Sequence, residues 1–211
     1  MQDRVDGSRT YIPAMHRRHY VVIDFECIRP NEWQSVGIIV YEQRGCSGRI
    51  IRQISCACDR GTDMLDTSTS LSEFWRQNQD ALEYNRKMGH GISVLDAEVR
   101  ICKFVEKIKR DFPHFYLVSD NPEYDIGIMN QILIRHGLSV MSQRTSTIYH
   151  QSICTWSTRR ALEQAGIRCP WHDHVGIKNA MAHGQMPHTP VFDCMRILNG
   201  YLNALSSIGG N

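Results

Sequence analysis

No stretch of the chain stays apolar for the roughly 20 residues a membrane-spanning helix needs, and no charged-then-apolar leader opens it. The expectation is a cytoplasmic protein that engages no membrane. Charge of one sign is scarce as well. A formal net charge of +2 neither demands nor excludes a polyanionic partner. There is no internal repeat and no low-complexity tract, which excludes solenoid and linker-like architectures. Cysteine is present at eight positions, but Cys56-Ala57-Cys58 with Cys46 finds no fourth ligand at a familiar metal spacing. Several of the eight fall inside expected strands and helices, so they read as reduced thiols rather than a disulfide framework.

What is there suits one folded unit. With 211 residues, 42% hydrophobic and 22% charged, the chain can bury a substantial core. Residues 1–18 are polar and aperiodic, and read as an N-terminal arm outside the core; residues 19–211 read as a single domain. Tyr20–Cys27, with Val21, Val22 and Ile23 in succession, reads as a strand buried on both faces. Ser35–Tyr41 and Arg49–Ala57 read as two further strands joined by short turns, hence an antiparallel meander. Ser70-Leu71-Ser72-Glu73 fits a capping box and predicts one helix running to about Tyr84, broken by Gly89-His90-Gly91. Leu95, Val99, Cys102, Val105 and Ile108 step by three and four, predicting an amphipathic helix with Lys103, Lys107, Lys109 and Arg110 toward its polar side. Phe115–Val118 reads as a fourth strand and Thr147–Ile153 as a weaker fifth. Helices are expected over Ile128–Leu133, from Ser157 to Gly166, and from Pro190 onward with Cys194, Leu198, Tyr201 and Leu205 in one stripe. Strands followed by alternating strand and helix give an α/β class, a five-stranded mixed sheet with helices on its faces.

The first strand ends in acids. Alternation along a strand puts Asp24 and Glu26 on one face while Phe25 turns into the core. Adjacent carboxylates repel unless a cation lies between them, and hard divalent ions take oxygen ligands. A frayed strand end, or an arginine for each acid, is the alternative. The fourth strand also runs into acids, Asp120-Asn121-Pro122-Glu123-Tyr124-Asp125. The last helix is entered through His188 and carries Asp193 about one turn inside, beside its core-facing stripe. In mixed sheets, sites collect at strand ends and adjoining helix starts.

Taken together, Ile23-Asp24-Phe25-Glu26, Asn121-Pro122-Glu123-Tyr124-Asp125 and His188-Thr189-Pro190-Val191-Phe192-Asp193 resemble the three motifs of the DEDDh 3′–5′ exonucleases, which include DnaQ-type proofreading subunits, RNase T and oligoribonuclease. Ser72-Glu73-Phe74-Trp75-Arg76-Gln77 is similar to a Phe-Trp-x-x-Gln helix in the branch holding phage exodeoxyribonuclease A and a mycobacterial exoribonuclease group. The resemblance spans roughly residues 20–205 and implies an RNase H-like fold. It further implies that Asp24, Glu26, Asp125 and Asp193 bind two Mg²⁺ or Mn²⁺ ions, and that His188 is the general base for in-line phosphodiester hydrolysis. In the second motif it selects Asp125 over Asp120 and Glu123.

The implied partner is the 3′ end of single-stranded DNA or RNA, released as nucleoside 5′-monophosphates; many relatives are homodimers, which leaves that state open for this chain. Substrate contacts are expected from Cys27, Ile28, Asn121 and Trp75. The family's Thr-Thr-Gly after the first Glu is Cys27-Ile28-Arg29 here, so the usual hydroxyl toward the 3′ end is missing. Cys169, His172, His174 and His183 raise a zinc reading, at irregular spacing. A non-catalytic nucleic-acid-binding or interaction module is the alternative function; such proteins usually lose an acid or the histidine, and all five are present.

Overall fold

The structure, a computed structural model, describes residues 17–29, 32–45, 47–61, 70–141, 152–167 and 187–209. The first sixteen residues of the expected arm, the first five of the expected fifth strand, and the Cys169, His172, His174 and His183 group lie outside the described residues, as does Cys46.

Five strands form one sheet in the order β3-β2-β1-β4-β5. They are β1 (Arg17–Arg29), β2 (Glu32–Arg44), β3 (Ser47–Ala57), β4 (Tyr116–Ser119) and β5 (Ser152–Cys154). β1–β2 and β2–β3 are antiparallel, as the short turns require, whereas β1–β4 and β4–β5 are parallel. β1 therefore has a partner on each edge, which accounts for its unbroken apolar run. It starts at Arg17, so the last two residues assigned to the arm belong to the sheet.

Six helices are described: α1 (Ser70–Gln77), α2 (Gln79–Gly89), α3 (Val94–Asp111), α4 (Pro122–Arg135), α5 (Thr155–Gln164) and α6 (Pro190–Gly209). The single helix expected from Ser70 to Tyr84 is two, parted at Asn78, whose amide side chain donates to the Phe74 carbonyl and competes with the helical ladder there. The expected stripe of α3 holds at Cys102, Val105 and Ile108, which are buried, and fails at its start. Leu95 is 64% exposed, and the buried face instead runs through Ala97, Ile101, Val105 and Ile108, with Cys102 beside it. Lys109, assigned to the polar side, is 3% exposed; its Nζ meets Glu106 and donates to the Ser139 carbonyl.

The two faces of the sheet carry different helices. Val21, Ile23 and Phe25 pack with Ile101, Val105, Met129 and Ile132 of α3 and α4. Tyr20, Val22 and Ile39 pack with Cys194, Ile197 and Leu198 of α6. Continuing the period of two, Asp24 and Glu26 emerge on the α6 side. Gly37 pairs with Asp24 across β1–β2, and a Cβ there would lie 2.0 Å from the Pro190 carbonyl oxygen. The missing side chain is what allows the start of α6 to rest on the sheet beside Asp24. Among the described residues, no helix is long and apolar enough to cross a membrane.

Candidate active site

β1 loses its β4 partner where the acids begin, while its pairing with β2 runs on through Glu26. Its last pair with β4 is Val22↔Val118. Beyond it, the Phe25 amide donates to Asp125 Oδ1 at 3.0 Å. β4 ends at buried Ser119, whose hydroxyl donates to Asp125 Oδ2 and accepts from the Asn121 amide at 2.9 Å. Pro122, at the first position of α4, needs no amide partner and pre-sets the helical φ. Asp125 thus reaches from the first turn of α4 into the space above Asp24.

On the other side of β1, α6 supplies two groups. Asp193 is 1% exposed, and its amide bonds to the Thr189 carbonyl within the opening turn. His188, just before that turn, is the described non-glycine residue with positive φ, at 61°. Such a backbone costs about 1–3 kcal/mol and persists only where neighbours fix it. Here buried Asn85 donates to the His188 carbonyl at 3.0 Å, and the Phe74 ring meets the imidazole edge-on with centroids 4.6 Å apart. His188 Nδ1 lies 3.8 Å from Glu26 Oε1, an ion-pair distance rather than a hydrogen bond.

The chain thereby brings together two ligand-competent groups: Glu26, His188 and Asp193, and Asp24, Asp120 and Asp125, each with donor atoms within 4.8 Å of one another. All six line a cleft of about 880 Å³. Arg196 bridges the two groups, 2.9 Å from Asp193 and 3.8 Å from Asp120.

The electrostatics are those of crowded, desolvated acids. Burial first, then Glu26, Asp193, Asp125 and Asp120, hold the Asp24 carboxyl well above its usual range. Burial lifts Asp125 to about 7 although Ser119 and the Phe25 amide stabilise its anion. Burial raises Asp193 to about 6 against the opposing pull of Arg196. Glu26 keeps the His188 imidazole above its ordinary range despite burial. Asp24 Oδ2 and Asp193 Oδ2 are buried and have no hydrogen-bond partner. Orphaned oxygens among mutually repelling carboxylates fit a hard divalent cation, and the all-oxygen donor set around Asp24 fits it too.

The expected substrate contacts divide. Asn121 lines the cleft. Trp75 does not offer a face to a base: it is 0% exposed, and its indole N–H donates to the Cys27 carbonyl at 2.8 Å. That carbonyl lies where the β1–β2 register shifts, on either side of the Cys27↔Trp33 pair. Cys27 and Ile28 are buried too, Ile28 in a small cluster with Trp75, Ala81 and Leu82. The aromatic that reaches the cleft from α1 is the neighbouring Phe74, because a helix turns adjacent residues by 100°. Asp120, which the resemblance set aside in favour of Asp125, stands with Asp24 and Asp125, and sequence reasoning gave no role to Ser119 or Arg196. Arg196 carried a usable signal, standing three residues after Asp193 on one helix face.

No family model and no curated protein matches the chain. Solved structures do match. The nuclease domain of 3′hExo, a DEDDh family member bound to rAMP, aligns with a TM-score of 0.52 at 10% identity, covering 90% of this chain and 93% of that one. Cell-death related nuclease 4 (CRN-4) gives 0.52 at 13% identity over 89% of this chain and 64% of its own. Exonuclease I of E. coli, in complex with a 5cy-dA13 oligonucleotide, gives 0.50 at 11% identity, covering 90% of this chain and 39% of that one. At such identities what is shared is the fold, the RNase H-like five-stranded mixed sheet with flanking helices. The chain spans nearly all of the first structure and about two fifths of exonuclease I.

Proposed function

We propose that this chain belongs to the DEDDh exonucleases and removes nucleotides from the 3′ end of single-stranded nucleic acid. One observation carries the reading: Asp24, Glu26, Asp125, Asp193 and His188 converge on one cleft from β1, α4 and the entry to α6. Asp24, Glu26, Asp125 and Asp193 would hold two Mg²⁺ or Mn²⁺ ions, which would supply Lewis-acid polarisation of the phosphodiester and an acidified water. Asp120 adds a fifth carboxylate within reach of the Asp24–Asp125 side.

The remaining steps fall to the chain's own residues. With Nδ1 turned to Glu26, His188 Nε2 is the nitrogen that takes a proton from the attacking water. The water oxygen bonds to phosphorus as the bond to the 3′ oxygen of the penultimate nucleotide breaks. That oxygen leaves on the shortened strand and takes up a proton, and the terminal residue departs as a nucleoside 5′-monophosphate. Asn85 and Phe74 keep the imidazole in place, and Ser119 with the Phe25 amide fixes the Asp125 carboxylate. Ordered placement of base and acids before substrate arrives is what lowers the barrier.

The test is a 5′-labelled single strand of DNA and its RNA counterpart, each with Mg²⁺ or Mn²⁺, beside an Asp24→Ala control. A ladder shortening from the 3′ end in the native protein alone supports the reading, and the faster strand names the substrate. Intact strands with every metal, despite binding, turn the reading to a non-catalytic binding module.

A further inference from the structure

Five large hydrophobic side chains stand exposed among the described residues: Tyr84, Leu95, Ile134, Trp156 and Ile208. Isolated exposure of this kind is ordinary. Trp156 differs from the other four because it lines the cleft that holds the carboxylates. It is 57% exposed, and the Arg160 guanidinium lies 4.6 Å from its ring centroid. Arg160 is not part of the cleft lining, whereas Trp156 is.

Trp156 is also anchored to the acids. It is the second residue of α5, whose first turn is held by the Cys154 thiol accepting the Ser157 amide at 3.4 Å and by the Thr158 hydroxyl on the Cys154 carbonyl at 2.8 Å. The same thiol lies 3.4 Å from the Asp120 carbonyl, to which it donates. One sulfur atom therefore ties the turn carrying Trp156 to the turn carrying Asp120. An aromatic face fixed at a set place relative to a phosphate-cleaving centre, with a cation on its ring, has the makings of a stacking platform.

We infer that Trp156, with Arg160 on its ring, stacks a base of the single-stranded nucleic acid bound at the carboxylates. The inference rests on the exonuclease reading for the presence of a strand in this cleft. Phe74 is half-buried and its ring is committed to the His188 imidazole, whereas Trp156 lines the same cleft and is exposed. Stacking on an indole is tolerant of base identity, so the platform gives grip without sequence preference.

The experiment measures equilibrium binding by anisotropy of a 5′-fluorescein ten-residue oligothymidylate with phosphorothioate linkages, in Mn²⁺, for the native protein, Trp156→Ala and Trp156→Phe. Stacking of one base predicts a roughly tenfold weaker Kd for Trp156→Ala, with most of the affinity restored by Trp156→Phe. On a normal strand, the same loss should appear in KM more than in kcat. The native protein's tryptophan fluorescence should be quenched by the strand, and Trp156→Phe should lose that part of the quench; Trp33 and Trp75 are buried and stay silent. Trp156→Ala binding as tightly as native overturns the platform even if strands are being degraded. Tight, Trp156-dependent binding with no hydrolysis under any metal sinks the exonuclease reading and leaves the platform standing. A native protein that does not bind the strand at all sinks the platform.

Discussion

The carboxylate cluster makes the metal-free protein less stable as pH rises, which is opposite to the usual behaviour of acids paired in a native fold. Asp125 binds its proton with a pKa of about 7 in the folded chain against an ordinary 3.8, and Asp193 with about 6. A carboxyl whose folded pKa is raised adds stability that is complete below its unfolded value and is lost as pH climbs through the folded one. Every tenfold in proton affinity is about 1.4 kcal/mol, so a carboxyl lifted as far as Asp125 weakens the fold between about pH 5 and pH 8. Asp193 acts in the same direction, and because the acids titrate as a coupled set the combined loss is on the order of 3 kcal/mol. The raised His188 acts in the same direction. Groups held low, such as Asp59 and Asp111, titrate below this window. For a chain of this length the loss corresponds to a fall in Tm of about 10 °C. Thermal unfolding in chelator at stepped pH measures it, and added Mn²⁺ should recover the loss at pH 8, about 2.7 kcal/mol when the ion is at a hundred times its Kd. A Tm in chelator that is flat or rises from pH 5 to pH 8 refutes the reasoning, as does a Tm indifferent to Mn²⁺.

His188→Ala should lower kcat by about 10²- to 10⁴-fold while strand affinity changes little; single-turnover kinetics within threefold of native would remove His188 as the base. Gly37→Ala places a Cβ 2.0 Å from the Pro190 carbonyl, and since backbone cannot give way, the fold should lose about 1–3 kcal/mol and activity should drop as the start of α6 shifts. Gly127→Ala, in α4 with nothing within 4 Å of the new Cβ, should instead gain up to about 1 kcal/mol by denaturant unfolding. Trp75→Ala should cost about 3–5 kcal/mol by the same assay; a loss under 1 kcal/mol would mean that Trp75 is not the pillar beneath the end of β1.

Much of the frame was legible because it follows local rules. The apolar run of β1 carries enough hydrophobicity to demand two neighbours, and turns such as Gly45–Ser47 permit only antiparallel pairing of β2 with β3. The errors lie where long-range packing overrides the local signal. Leu95 and Val99 satisfy helical spacing as well as Ala97 and Ile101 do, and only packing into the core shared with β1 and α4 selects the second set. Lys109 looks solvated until the Ser139 carbonyl is brought across to its ammonium.

The site was legible for a different reason. An acid at the end of a buried strand, or one turn into a buried helix, violates the preference for apolar residues so plainly that sequence alone marks it; Asp24, Glu26 and Asp193 are of this kind. Asp120, directly after the buried β4, carries the same mark and was set aside only in favour of Asp125; Arg196 carries none, because a charged residue on a helix flank is ordinary. Its significance comes from geometry. Arg196, one turn beyond Asp193, spans to Asp120 and sets a positive charge between two groups of acids that would otherwise repel without relief. The same distinction separates Trp75 from Phe74 and Trp156. Aromatic character was visible at all three, but which ring holds the end of β1 and which opens on the cleft is decided by the helical angle at residues 74 and 75, and by a thiol at residue 154 that fixes the start of α5 against Asp120.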